Sequence, residues 1–477
     1  MKEIPRGVLW VFVLATTLPN AMAECKRTYD YDDVLHKSLL FFEAQRSGVL
    51  PASQRVKWRK DSASNDAPDA DTKKQVDLAG GYYDAGDYAK FGFPMAATTT
   101  LLAWGAIDYG EAYTAANEMV HLREAVKWAT DYFIKAHPEA NVFYGQVGLG
   151  TQDNNYWGRP EDMKMTRPAY KITATKSGSD LAGETAAALA ATAIISEFSW
   201  DEKTPGVHVL MAQLQPTNQT YLNNAKKYCD KIIDATEKTP KGLVFILKWG
   251  SLRYAANAAF LILRAADSYS SQDKAKAKKY QDFAKKQIHY MLGDGGRSYV
   301  VGYGCNPPVR PHHPSSSCPS SPAKCDWDTY DQLSSEPNIY ELAGALVGGP
   351  DSNDNYSDTR ENVEQNEVTT DYNAGFQSAV AALRVLAKTG SVTSNRKITT
   401  SCETNPKLAA IASNTTRSQD STTPSVKVHE AFQGNYSYKL KLTLTFSKNV
   451  SSWNMDLQFS YDVTNIQVSF SLWTKKS

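Results

Sequence analysis

The chain has 477 residues, 42% hydrophobic and 22% charged, an ordinary globular composition with enough apolar content for a large core. Its 52 basic and 51 acidic residues leave a net charge of +1, which gives no electrostatic case for a nucleic acid or an anionic membrane surface as partner. Six cysteines in this length exclude a disulfide scaffold, although one or two bridges fit, Cys318–Cys325 across a Pro/Ser-rich loop foremost.

At the N-terminus, Lys2 and Arg6 precede the apolar run Val8 to Ala15, and Ala21-Met22-Ala23 follows. A charged start, a short apolar stretch and a small-residue cleavage site predict that residues 1–23 are a signal peptide removed on secretion. The run is too short for a spanning helix. N-glycosylation sequons at Asn218, Asn355, Asn414, Asn435 and Asn449 agree with an extracellular setting.

From about residue 29 to 390 the apolar period is helical. Leu35, Leu39 and Phe42 share one face, as do Leu122, Val126, Ala129 and Phe133. Further helices are expected near 95–109, 180–197, 221–236, 251–269, 274–293 and 371–389, several of them rich in Ala. Between them run long loops at 47–92, 138–179, 294–336 and 348–370, filled with Gly, Pro, Asp and aromatics, and loops of that length usually carry function. The pattern predicts an all-α barrel or toroid, with a plain bundle as the alternative. Residues 391–425 shift to Ser, Thr, Asn and Lys, the composition of a linker. Beyond it the period becomes two. Tyr436 to Phe446, Trp453 to Val463 and Ile466 to Leu472 read as three strands of a small β-sandwich-like module over 426–477.

Four segments carry possible chemistry. Asp84 and Asp87 lie three residues apart in Gly80-Gly81-Tyr82-Tyr83-Asp84-Ala85-Gly86-Asp87, where glycines permit a tight turn and a close ligand. Such a pair can hold a water from two sides, one carboxylate taking its proton; a surface Asp-Gly turn or a calcium loop has the same spacing. Glu367 precedes Thr369-Thr370-Asp371-Tyr372 and an apolar helix. Desolvation there would raise its pKa and suit it to a general acid, whereas Asp371 or Asn373 reads equally as a helix cap. His312-His313 lacks other ligands at metal spacing and suits hydrogen bonding on a loop. Trp249-Gly250-Ser251-Leu252-Arg253-Tyr254 opens a helix with aromatics around an Arg, a pattern for sugar stacking or for a buried helix start.

In this order the segments resemble glycoside hydrolase family 9, the endoglucanase family. The resemblance runs from Tyr29-Asp30-Tyr31 and Phe41 to Gly48 through Asp77 to Phe91, Trp128 to His137, Tyr144 to Gly148, Trp157, Arg159 to Met163 and Ser179 to Ala186, ending with Gly348 to Phe376. It covers nearly all of 29–390. It implies a catalytic domain over residues 24–390 with an (α/α)6 barrel and an open cleft for a cellulose chain. Asp87 would be the base and Asp84 its partner in holding water, with Glu367 the acid and His312 and Asp358 further catalytic residues. Trp249, Arg253, Tyr254, Arg360 and Tyr372 would bind sugar. Inversion by single displacement would place the carboxyls of Asp87 and Glu367 about 6.5–9.5 Å apart.

Departures are expected to matter. Pro314 stands where the family usually has an Arg two residues after the His, Asn154 where it has a His, and Val363 where it has an aromatic. After Ile195 the chain runs directly into Glu197 to Lys203, where the family has roughly two more barrel helices and a calcium-binding Asp-Glu pair. Only Asp201 of those ligands remains, so the barrel is expected to lack about two helices and the structural calcium site to be lost. The end module is similar to carbohydrate-binding β-sandwiches, with Trp453 and Trp473 as candidate stacking residues. The resemblance implies a secreted, monomeric endo-β-1,4-glucanase needing no cofactor, and as the alternative a glucan-binding protein impaired in turnover.

Overall fold

A computed structural model describes residues 29–66, 68–190, 199, 203–270 and 273–388, and the backbone of 425–433 and 438–445. It divides into two units, Met1–Asn395 and Arg396–Ser477. The expected signal peptide, most of the expected linker, Asp201, Trp453 and Trp473 lie outside the described residues, as do the second and third expected strands.

The first unit is mainly helical. Its longer described helices are α1 (Tyr31–Ala44), α2 (Gly92–Ala115), α3 (Met119–Ala136), α4 (Ser179–Ala190), α5 (Thr204–Leu214), α6 (Gln219–Asp230), α7 (Ser251–Tyr269), α8 (Lys274–His289) and α9 (Thr370–Lys388). The Asp30 side chain caps α1 by accepting from the amides of Asp32 and Asp33. Helix α9 is buried on nearly every face and packs against α1, α2, α7 and α8. Its small residues permit that crowding, and its polar ones are matched. Asn373 donates to Ser38 Oγ and to Gly344 O and accepts from the Leu346 amide, while Ser38 donates to Gln377. Arg264 on α7 pairs with Asp108 on α2 at 2.7 Å, tying a second helix pair together.

One helix escaped the sequence pattern. It is α5, whose Pro205 is accommodated in the first turn, where a missing N–H has no helical partner anyway. Two of the expected loops also hold a three-stranded antiparallel sheet of β1 (Lys90–Phe91), β2 (Phe143–Val147) and β3 (Ala169–Ile172), paired Lys90↔Val147 and Val147↔Ala169. Lys90 is fully buried beside β2, with its ammonium 2.8 Å from Asp66, which also holds Arg167 at 2.6 Å. Lys90 also donates to the carbonyls of Leu78 and Gly80, bracing the chain that leads into the Asp84–Asp87 segment.

In the second unit, β4 (Ser425–Gln433) and β5 (Tyr438–Thr445) pair antiparallel, with a bulge between Val428 and Glu430. The second coincides with the first expected strand, and the first begins where the linker was expected to end. Among the described residues no helix is long and apolar enough to cross a membrane.

Candidate active site

Three chain segments meet at the top of α9. The Asp84–Asp87 turn is bound to it directly, because the Thr370 amide donates to the Asp84 carbonyl at 3.0 Å. Glu367, which follows the short helix Val363–Asn366, pairs with His312 in an isolated bridge, the His312 amide donating to Asn366 O at 2.8 Å. The turn packs against this bridge so closely that a Cβ on Gly86 would lie 2.1 Å from the His312 carbonyl oxygen, which is why glycine occupies that position. The start of α7 completes the site. Gly250 has φ of 66° and faces the Tyr372 hydroxyl, which a Cβ would approach to 2.4 Å.

Glu367 is held through a single oxygen. Trp249 Nε1 donates to Oε2 at 2.6 Å, and the Tyr372 hydroxyl donates to the same Oε2 at 3.0 Å. Among the described residues Oε1 has no protein donor. Burial raises the Glu367 pKa and the Asp371 charge adds to it, against the two donors and the Arg253 charge. Across the site, burial followed by the charges of Asp153 and Glu367 pushes Asp87 up to about 7. Burial followed by Asp371, Asp87 and Glu367 pushes Asp84 well above the usual carboxylate range. Asp84 Oδ1 is buried and has no hydrogen-bond partner in the protein. These carboxyls therefore lie within electrostatic reach of one another, and they cannot all be ionised near neutral pH.

His312 Nδ1 donates to the Arg360 carbonyl at 2.8 Å, leaving Nε2 as the acceptor, and burial lowers its pKa so that the ring is neutral. His313 is buried and reaches the aspartate turn through Gln45. Its Nε2 lies 3.0 Å from Gln45 Oε1, and Gln45 Nε2 donates to Ala85 O at 2.6 Å. Pro314 is buried in the first turn of the short helix Pro314–Ser317.

Several expected sugar contacts have other tasks. Trp249 is 44% exposed and offers a face to a ligand, but Tyr372 is fully buried and Tyr254 nearly so. Tyr372 acts on Glu367, and the Tyr254 hydroxyl accepts from Arg253 at 2.8 Å. Arg253 pairs with Asp371 at 3.2 Å, its guanidinium over the rings of Tyr254 and Tyr372. Arg360, expected to bind sugar, is fully buried. Its guanidinium donates to Asn338 Oδ1 and to the carbonyls of Leu333 and Glu336, so it braces a loop instead. Asp358, expected to act in catalysis, accepts from the amides of Val309 and Arg310 and so shapes the approach to His312.

Two features went unassigned in the sequence. Trp157 lies 5.4 Å from His312, 5.2 Å from Trp327 and 4.4 Å from Tyr330 between ring centroids, forming an aromatic wall of which Trp327 is 42% exposed. The Trp327/Tyr330 spacing of three was its available signal. The wall follows the loop closed by Cys318–Cys325, the bridge the spacing predicted. Asp153 is the other feature, and it stands behind Asp87. Among the described residues no group of three or more His, Cys, Asp or Glu side chains is placed to hold a metal ion.

A helical scaffold that brings a carboxylic acid of raised pKa within electrostatic reach of a pair of aspartates, beside an exposed tryptophan, fits a glycoside hydrolase. The model of glycosyl hydrolase family 9 matches the chain in two blocks, residues 31–197 and 192–380. Endoglucanase 5 of Arabidopsis thaliana is 36% identical over 77% of this chain and 76% of its own length. The structure of the endoglucanase from the termite Nasutitermes takasagoensis is 47% identical, with a TM-score of 0.71 over 76% of this chain and all of that one. Endoglucanase CelQ from Clostridium thermocellum, complexed with cellotetraose, is 30% identical with a TM-score of 0.66 over 76% of this chain and 71% of that one. The chain belongs to glycosyl hydrolase family 9 and is a hydrolase of the endoglucanase type.

Proposed function

We propose that the chain is a secreted endo-β-1,4-glucanase that cleaves internal bonds of cellulose-like glucans with inversion at the anomeric carbon. The observation that carries this reading is the one-sided grip on Glu367. Trp249 and Tyr372 both donate to Oε2, so a proton belongs on Oε1, free to pass to the glycosidic oxygen as the C–O bond breaks. A water held by Asp84 and Asp87 attacks the anomeric carbon from the opposite face. Asp87 takes one of its protons, and the remaining hydroxyl becomes the new anomeric substituent. Proton exchange with solvent then resets Asp87 and Glu367. The turnover-competent form has Asp87 ionised and Glu367 protonated. CelQ bound to cellotetraose and a related cellulase bound to cellobiose support a β-1,4-glucan as ligand.

The same reading takes the helices as an (α/α)6 barrel lacking about two members between α4 and α5. The family match, broken where its two blocks meet, supports that. The residues from 426 onward form a small glucan-binding β module, and the enzyme works as a monomer without a cofactor or a structural calcium. The broken match and Pro314 favour a second reading, a glucan-binding protein without turnover. Reducing-sugar release from carboxymethylcellulose by the full chain and by Asp87→Asn separates the two. Hydrolysis lost in the variant, with the α-anomer appearing first by NMR, supports the enzyme. Equal background release from both would leave only binding.

A further inference from the structure

Asp153 ends the short helix Gly150–Asp153 in the loop between β2 and β3, 66 residues from the base, and it is 1% exposed. Its Oδ2 accepts from the Tyr88 amide at 2.9 Å and also from the Ala89 amide. Those are the two peptide groups that follow Asp87. Its Oδ1 is buried and has no hydrogen-bond partner. An acceptor buried at this depth and half used is costly unless its charge serves a purpose. Tyr88 is fixed in turn by its hydroxyl, which donates to Gly158 O at 2.5 Å. The backbone leaving the base is thus pinned to one distant loop.

We propose that Asp153 is a positioning residue for the base: its carboxylate gathers the two amides after Asp87 and fixes where that side chain stands. The inference rests on Asp87 being the base. The arrangement also has an electrostatic effect. The charged groups facing Asp87 are Asp153, Glu367 and Arg167, and Asp84 stands in the same turn. Burial raises the Asp153 pKa, while the Arg167 charge and the two amides oppose that and favour its ionised form. A negative charge behind the base strengthens its hold on the proton it must take from water.

The test uses the full chain carrying Glu367→Gln and a 2,4-dinitrophenyl cello-oligosaccharide, whose leaving group departs without a proton. The rate then rises with pH as Asp87 ionises. Adding Asp153→Asn, which keeps an acceptor for the amides but removes the charge, lowers the midpoint of that rise by about one pH unit or more. Asp153→Ser is also neutral and gives a drop of the same sign if the asparagine variant does not fold. A midpoint unmoved in both, with only thermal stability reduced, overturns the proposal and leaves Asp153 a structural residue. Asp87→Asn in the same background is the control. If it leaves the rate intact, Asp87 is not the base, and the role of Asp153 falls with it. If it abolishes the rate while the midpoint stays fixed, only the inference about Asp153 fails.

Discussion

Replacing Glu367 by Gln removes a transferable proton while preserving shape, and the structure dictates how the amide sits. Trp249 Nε1 can only donate, so the amide oxygen must occupy the Oε2 position and accept from Trp249 and Tyr372. The amide nitrogen then takes the place of Oε1, where it can donate a hydrogen bond to the leaving oxygen but cannot give up a proton. General acid catalysis typically contributes about 10²–10⁴-fold. On carboxymethylcellulose the variant should therefore lose about 3–5 kcal/mol of transition-state stabilisation. On a 2,4-dinitrophenyl cello-oligosaccharide, where the departing phenolate needs no proton, the loss should shrink to about tenfold or less. Parallel kcat measurements on the two substrates, with circular dichroism to verify the fold, make the comparison. Equal losses on both would refute the assignment of Glu367 as proton donor and the inference drawn from its single gripped oxygen.

Other outcomes follow from the same geometry. Trp249→Phe keeps an aromatic face but removes the donor to Oε2, so kcat on cello-oligosaccharides should fall more than KM rises. Trp249→Ala should raise KM as well, by about 2–10-fold for a lost stacking contact. Asp87 has a folded pKa of about 7 against 3.8 for the free side chain, so the folded state holds its proton more tightly. The stability this gives is present below pH 3.8 and is lost as pH rises toward 7. Asp87→Asn should therefore gain thermal stability over the parent chain as pH rises from about 4 to 7, as followed by Tm. Replacing Cys318 and Cys325 by Ser opens a loop with a sequence separation of 7, and denaturant unfolding should show a loss of about 2–3 kcal/mol. The released loop should also loosen the Trp327 wall, reported by its fluorescence.

The helices were legible because burial repeats along them. Leu35, Leu39 and Phe42 are all buried on α1, and Leu122, Ala129 and Phe133 on α3. The small sheet was not, because strands of two, five and four residues are too short to show a period, and β2 contains Gly145 and a bulge beside it. Asp84, Asp87 and Glu367 stood out by chemistry, and the fold does bring them together. Tyr372 and Arg360 show the limit of that reasoning. The resemblance implied both as sugar contacts, but whether a side chain faces the cleft or lies beneath it depends on packing from α7 and from the 333–338 loop. Asp153 gave no local signal, since an Asp in a polar loop gains its meaning only from the two amides that another segment presents to it.

The peptide hydrogen bonds joining His312 to Asn366 and Thr370 to Asp84 have one more consequence. They fix the relative places of the main-chain segments that carry Asp84, Asp87 and Glu367, so that the side chains of the site start from anchored backbone. On the proposed mechanism, exchanging individual groups in the cleft can stop the reaction or retune its pH range while the main-chain segments that carry them keep their places.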